Sequence, residues 1–268
     1  MDFLNDIEFI RERIDLAEYK DKYVLITGAT GFFGSWLTYA LNGRCILTLA
    51  NRENIKECLR GEYDYIFHCA PCDIRPIIDC AMHDKSKVLF TSSGAVYGTI
   101  YDRPKEDAPL LPKTSYALTK LKDEIHLKGS GLDYVIARCY AFCGAHMRNL
   151  FALTAFVNAL QTGHPLNVFN RGVSVRSYLY AADLAVWLLT LMVKGDGIYN
   201  VGSEHETTIK QLAEMVADYA TPHAPIIYSD KEFIETQPYY VPDCTKAHRL
   251  GLYQWHDLEY GLRRMING

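Results

Sequence analysis

YVLITGATGFFGSWL, residues 23–37, runs from a short unbroken apolar stretch into a turn marked by Gly28, Gly31 and Gly34, then into a helical pattern from about Phe32 to Leu41. YVLIT reads as a buried strand. Glycines spaced G-x-x-G-x-x-G after such a strand suit a pyrophosphate. One permits the tight turn, one lets phosphate approach the backbone, and one lets helix pack closely on strand. The helix N-terminus adds unpaired N–H groups and partial positive charge. Glycines alone also fit a merely structural turn; the strand before and the helix after favour dinucleotide binding.

The same alternation continues outward. RCILTLA (44–50), DYIFHCA (64–70), KVLFTSS (87–93) and DYVIARC (133–139) are apolar runs without polar alternation. Between them lie a short helix near 54–60 and the helical segments IRPIIDCAM (74–82) and TSYALTKLKDEIHL (114–127). Strands of this kind separated by helices predict a parallel, doubly wound α/β sheet covered on both faces. The second half is less regular. LFALTAFVNALQTG (150–163), DLAVWLLTLMV (183–193), TIKQLAEMVADYA (208–220) and DLEYGLRRMI (257–266) read as helices, with short strands around 166–169 and 175–180. The expected division is an N-terminal helical extension (1–22), a dinucleotide-binding domain (23–148) and a small C-terminal α/β substrate lobe (149–268), some segments of which return to the first domain.

The 268 residues suffice for this plan. Apolar residues make up 49% and charged residues 22%, and the net charge of −4 lacks the basic excess that nucleic acid or an anionic membrane would attract. The longest apolar run, Ala181–Val193, contains Asp183 and is too short to span a bilayer. The N-terminal segment is acidic and amphipathic without a signal-peptide core, so the cytoplasm is expected. The eight cysteines read as free thiols. Cys69 and Cys72 have the spacing of a metal or redox pair, but no second pair follows, and no metal is expected.

Three further signals concern chemistry. Where an acid would meet the adenosine ribose of NAD, the second strand runs into Asn51 and Arg52; Arg52 is either a solvated loop residue or the partner of a 2′-phosphate, which tips the reading toward NADP. Tyr116 and Lys120 stand four apart in YALTK, on one helix face. An ammonium about 4 Å from the phenol, at an effective dielectric near 20, favours the phenolate by about 4 kcal/mol, roughly three pKa units. The strand 87–93 opens into Ser92, Ser93 and Gly94, at the carboxyl end where doubly wound sheets place their chemistry; a hydroxyl there can hold a carbonyl or alkoxide oxygen.

TGATGFFG, SSGAVYG and YALTK in this order resemble the extended short-chain dehydrogenase/reductases, especially the nucleotide-sugar epimerase/dehydratase branch. RCYAFCG (138–144), VRSYLYAADLA (175–185) and YNVGSEHETTIKQLAEMV (199–216) extend the resemblance over nearly everything after residue 22. It implies a Rossmann fold, Ser93 as the hydroxyl that holds the reacting oxygen, Tyr116 as acid/base, and Lys120 as the group that lowers its pKa and binds the nicotinamide ribose. It also implies cofactor contacts at Gly28, Thr30, Gly31, Phe32, Phe33, Gly34, Asn51, Arg52, Ala70, Tyr116 and Lys120. Asn149, Leu150 and Arg176 would hold the substrate's diphosphate beside Ser93. Relatives often dimerise through the YALTK helix, so a homodimer is expected.

Three departures bear on the reaction. Dehydratases of the family carry Asp-Glu after the catalytic Ser/Thr, whereas Gly94 and Ala95 follow here, which disfavours dehydration. The stretch before DYIFHCA is short, which predicts a trimmed βα unit and altered adenine contacts. TQPYYVPD (236–243) offers Gln237 and tyrosines where a diphosphate-binding arginine is usual. The reading is therefore an NAD(P)-dependent nucleotide-sugar epimerase, C4 favoured, working through a transient ketone. Its rivals are an NADPH-dependent reductase of a 4-keto nucleotide sugar, a reductase of small carbonyls and a non-catalytic NAD(P)-binding regulator.

Overall fold

The computed structural model describes residues 2–100, 102–145, 147, 151–230 and 238–267. The first half contains α1 (Asp2–Arg13), β1 (Tyr23–Thr27), α2 (Phe32–Leu41), β2 (Ile46–Ala50), α3 (Ile55–Cys58), β3 (Tyr65–His68), α4 (Arg75–Asp84), β4 (Lys87–Ser93), α5 (Ser115–Lys128) and β5 (Tyr134–Cys139). Next come β6 (Ala141–Cys143), α6 (Ala152–Gln161), β7 (Leu166–Val168), β8 (Val175–Arg176), β9 (Tyr178–Tyr180) and α7 (Ala181–Lys194). The chain closes with β10 (Gly197–Val201), β11 (Thr207–Thr208), α8 (Ile209–Ala217), β12 (Ile226–Tyr228), β13 (Tyr239–Tyr240), α9 (Thr245–His248) and α10 (Leu258–Asn267).

Six parallel strands form the main sheet in the order β10-β5-β4-β3-β1-β2. Strand alternation sends Val24 and Ile26 to one face, with Trp36, Leu37 and much of α7, and Leu25 to the other, with Ile77, Phe90 and Leu127. The sheet is thus buried on both sides, as its unbroken apolar strands require. β10 joins it from the second half of the chain. No described helix is long and apolar enough to cross a membrane.

In the stretch expected to be short, β2 is the edge strand, with Ile46 and Leu49 exposed, and α3 has only four residues. The 175–180 segment is not one strand: β8 pairs with β11 and β13, whereas β9 pairs with β6.

Candidate active site

Chain order reverses between β1 and β3, and ligands of doubly wound sheets bind at such a switch point. Gly28 follows β1 with φ +69°, and a Cβ there would lie 2.9 Å from the Ala70 nitrogen at the end of β3. A Cβ on Gly34 would collide with the Gly28 carbonyl oxygen. This close approach seats the start of α2 at the sheet edge, where the N–H groups of Phe32, Phe33 and Gly34 have no intrahelical acceptor. Thr30 is exposed beside them, while the Phe32 and Phe33 rings pack inward on Phe142. The cradle fits a pyrophosphate. At the end of β2, the Asn51 side chain is committed to its own turn, accepting from the N–H groups of Glu53 and Asn54, and Arg52 is exposed.

β4 and α5 bring Ser93, Tyr116 and Lys120 together. Thr114 caps α5, its hydroxyl accepting from the Ala117 N–H at 3.1 Å. The helix is then pinned from below. Glu124 pairs with the fully buried Arg138 of β5 at 2.8 Å and accepts from the Ser92 hydroxyl at 2.5 Å. Arg138 also donates to Tyr97 Oη and to the Glu106 carbonyl, so each nitrogen of the buried guanidinium has a partner.

Lys120 departs from its expected relation to Tyr116. Its Nζ donates to the Thr91 carbonyl at 2.8 Å and lies 4.6 Å from the Phe90 ring centre, and burial lowers its pKa. Tyr116, 53% exposed, has its pKa raised by desolvation; the Ser93 hydroxyl is what opposes this, and Lys120 is not among the groups acting on it. In this state the ammonium is turned to the strand backbone, so the expected lowering is not realised. Beneath the site, His68 bonds the Thr27 hydroxyl at 2.7 Å, and burial, aided by Lys120, depresses its pKa to about 4. The Cys69 thiol is pushed up to about 12 by burial, Cys72 is exposed, and all eight cysteines are free.

The three-stranded sheet β11-β8-β13 delivers the remaining groups. Arg176 and Tyr240 are register partners, the guanidinium carbon 5.9 Å from the Tyr240 ring centre, and burial lowers the Arg176 pKa. Arg176 Nη1 donates to the Val175 carbonyl. Tyr240 Oη stands 3.2 Å from Ser93 Oγ, a contact the sequence reading lacked. The Tyr140 ring packs on Tyr240 and fills the space at Gly94, where a Cβ would meet it at 2.5 Å. Asn149, Leu150 and Gln237 lie outside the described residues.

A glycine turn at the switch point, Ser93 at the end of β4, and Tyr116 and Lys120 on α5 form the arrangement expected of the extended short-chain dehydrogenase/reductases. The NAD dependent epimerase/dehydratase family model matches residues 74–202. UDP-glucuronic acid decarboxylase 1 of Arabidopsis thaliana is 26% identical over 91% of this chain and 69% of its own length. The dTDP-4-dehydro-6-deoxyglucose reductase of Escherichia coli is 28% identical over 62% of this chain and 54% of its own. The solved UDP-N-acetylglucosamine 4-epimerase from Methanobrevibacter ruminantium M1, in complex with UDP-N-acetylmuramic acid, superposes with a TM-score of 0.81 at 25% identity, covering 92% of this chain and 98% of that one. Over residues 74–202, just under half of its length, the chain is thus similar to the NAD dependent epimerase/dehydratase family.

Proposed function

We propose that the protein is a nucleotide-sugar epimerase acting at C4 through a transient keto sugar. The observation that carries this reading is Ser93 at the carboxyl end of β4 facing Tyr116 of α5, with Gly94 and Ala95 following Ser93 in place of acids. Tyr116 takes the proton of the sugar hydroxyl, Ser93 holds the oxygen as it becomes a carbonyl, and Tyr116 returns the proton after the ring has turned over. A bound nicotinamide supplies the hydride acceptor and donor. Tyr140 leaves no room for a carboxylate at position 94, which argues against water elimination. Arg176 would hold the diphosphate, together with Asn149 and Leu150, on a small substrate lobe formed mainly by 149–268. The similarity to a solved 4-epimerase holding a UDP-sugar supports the substrate class.

The second reading is an NADPH-dependent reductase of a 4-keto nucleotide sugar, favoured by the reductase relative and by Arg52. The cofactor reading is NAD(P); the family's description names NAD, so the NADP preference rests on Arg52 alone. Exposed Leu118 and Ile125 on α5 and Met82 on α4 support a homodimer through these helices, and the cytoplasm is the proposed location.

Incubating the protein with UDP-, dTDP- and GDP-hexoses and a trace of NAD(P)⁺, followed by proton NMR, tests the proposal. Epimer formation without net cofactor reduction is expected. Stoichiometric NADPH consumption with a 4-keto sugar would establish the reductase instead, and no conversion of any nucleotide sugar in either assay would overturn both.

A further inference from the structure

Tyr240 lies 147 residues from Ser93 in sequence, yet its hydroxyl is 3.2 Å from Ser93 Oγ and 3.2 Å from the Cys139 carbonyl oxygen. A carbonyl only accepts, so Tyr240 spends its single proton on Cys139. Ser93 must then donate to the Tyr240 oxygen, while its own oxygen accepts the Ala95 N–H at 3.2 Å. Toward Tyr116, the serine has only a lone pair left. That arrangement suits a neutral Tyr116 and fails a phenolate, which needs a donor.

We propose that Tyr240 is the switchable end of a three-hydroxyl relay, Tyr116–Ser93–Tyr240, whose reversal stabilises the Tyr116 phenolate. When Tyr116 gives its proton to solvent or to the product oxygen, Ser93 rotates its O–H toward the phenolate. Tyr240 rotates its own from the Cys139 carbonyl to Ser93. Two O–H groups turn, one proton leaves, and no bond to carbon changes. Tyr240 is therefore a positioning residue that acts through Ser93. Its β13 backbone is held by pairing with β8, and its ring by the Tyr140 ring at 4.5 Å.

The groups facing the relay permit this. Cys139 of β5 and Tyr140 are kept neutral, their pKa values raised by burial. The charges nearby are Lys120, from the helix of Tyr116 itself, and Arg176 of β8, beside which lies the buried Tyr178. Both charges are positive, but neither is among the groups acting on Tyr116, so the donor to a phenolate has to come from the relay.

The inference rests on Tyr116 as the acid/base of the proposed reaction, and its test uses no sugar. The ultraviolet absorbance of tyrosinate is followed against pH in NAD⁺-loaded wild type and Tyr116→Phe, whose difference isolates Tyr116. The same subtraction is repeated in Tyr240→Phe and Ser93→Ala backgrounds. A hydrogen bond to a charged group is worth enough to make the phenolate fraction at a given pH about tenfold smaller once Tyr240→Phe is introduced. Ser93→Ala should produce a similar loss, and adding Tyr240→Phe to it should change nothing more. An unchanged Tyr116 titration in Tyr240→Phe, or an equal further loss in the Ser93→Ala background, would overturn the relay. Should Tyr240→Phe not fold, an unchanged titration in Ser93→Ala alone would do so. If Tyr116 responds as expected but no nucleotide sugar turns over, the proposed function fails and the relay stands.

Discussion

Ser93, Tyr116 and Lys120 were legible because each sits in a local pattern: a strand running into serines, and two side chains one helical turn apart. What the spacing hid was the partner each side chain takes. Lys120 points to the Thr91 carbonyl, and Tyr240 reaches Ser93 only because β13 pairs with β8, a relation that no local pattern records. At this scale Tyr116→Phe should reduce turnover to background while dinucleotide affinity and the circular dichroism spectrum stay unchanged, since only the ionisable oxygen is lost. Arg176→Lys should weaken a UDP-, dTDP- or GDP-ligand in calorimetry without altering NAD(P) binding, because an ammonium cannot reproduce two parallel guanidinium hydrogen bonds. No detectable nucleoside diphosphate binding by the wild type would remove Arg176 from the site. Arg52→Ala should narrow a preference for NADP(H) over NAD(H) of about one to two decades, measured by fluorescence titration. Equal affinities in the wild type would make Arg52 a loop residue only.

Among the elements, the long helices and the first five strands could be read because both faces of the sheet demand continuous apolar runs. β10 escaped such a reading: Gly197–Val201 breaks its apolar run with Gly197 and the buried Asn200, and its place beside β5 is set by long-range pairing. The 175–180 segment divides at Ser177 because its two halves serve different sheets. α5 carries Tyr116 and Lys120, and one buried pair, Glu124 with Arg138, ties it to β5. Glu124→Ala leaves the guanidinium buried beside the Tyr97 hydroxyl and the Glu106 carbonyl with no counter-charge. It should cost about 3–5 kcal/mol in urea unfolding. A loss comparable to that of an exposed ion pair would show that α5 is held in place by other contacts.

For the whole molecule, acid should act through His68. Its folded pKa, near 4, lies below the ordinary value of 6.5, so between those values the unfolded chain binds a proton that the native protein refuses. Stability is therefore complete above about pH 6.5 and falls as pH drops toward 4, by about 3 kcal/mol from this residue. Urea midpoints at several pH values should show this slope, and His68→Gln should flatten it; an equally steep variant would place the acid sensitivity elsewhere. The same view of the molecule gives meaning to the sheet's early end at β2. With a single-turn α3 beyond it and Asn51 occupied by its own turn, a dinucleotide seated on the glycine turn would have its adenine end facing solvent and Arg52, and its pyrophosphate as the main point of hold. A ligand held by its middle alone comes and goes readily. On the reaction proposed above, such a dinucleotide would be a visitor, exchanged with the surrounding pool between turnovers, and a ketone left in the cleft when it departs would become a released product rather than a passing intermediate.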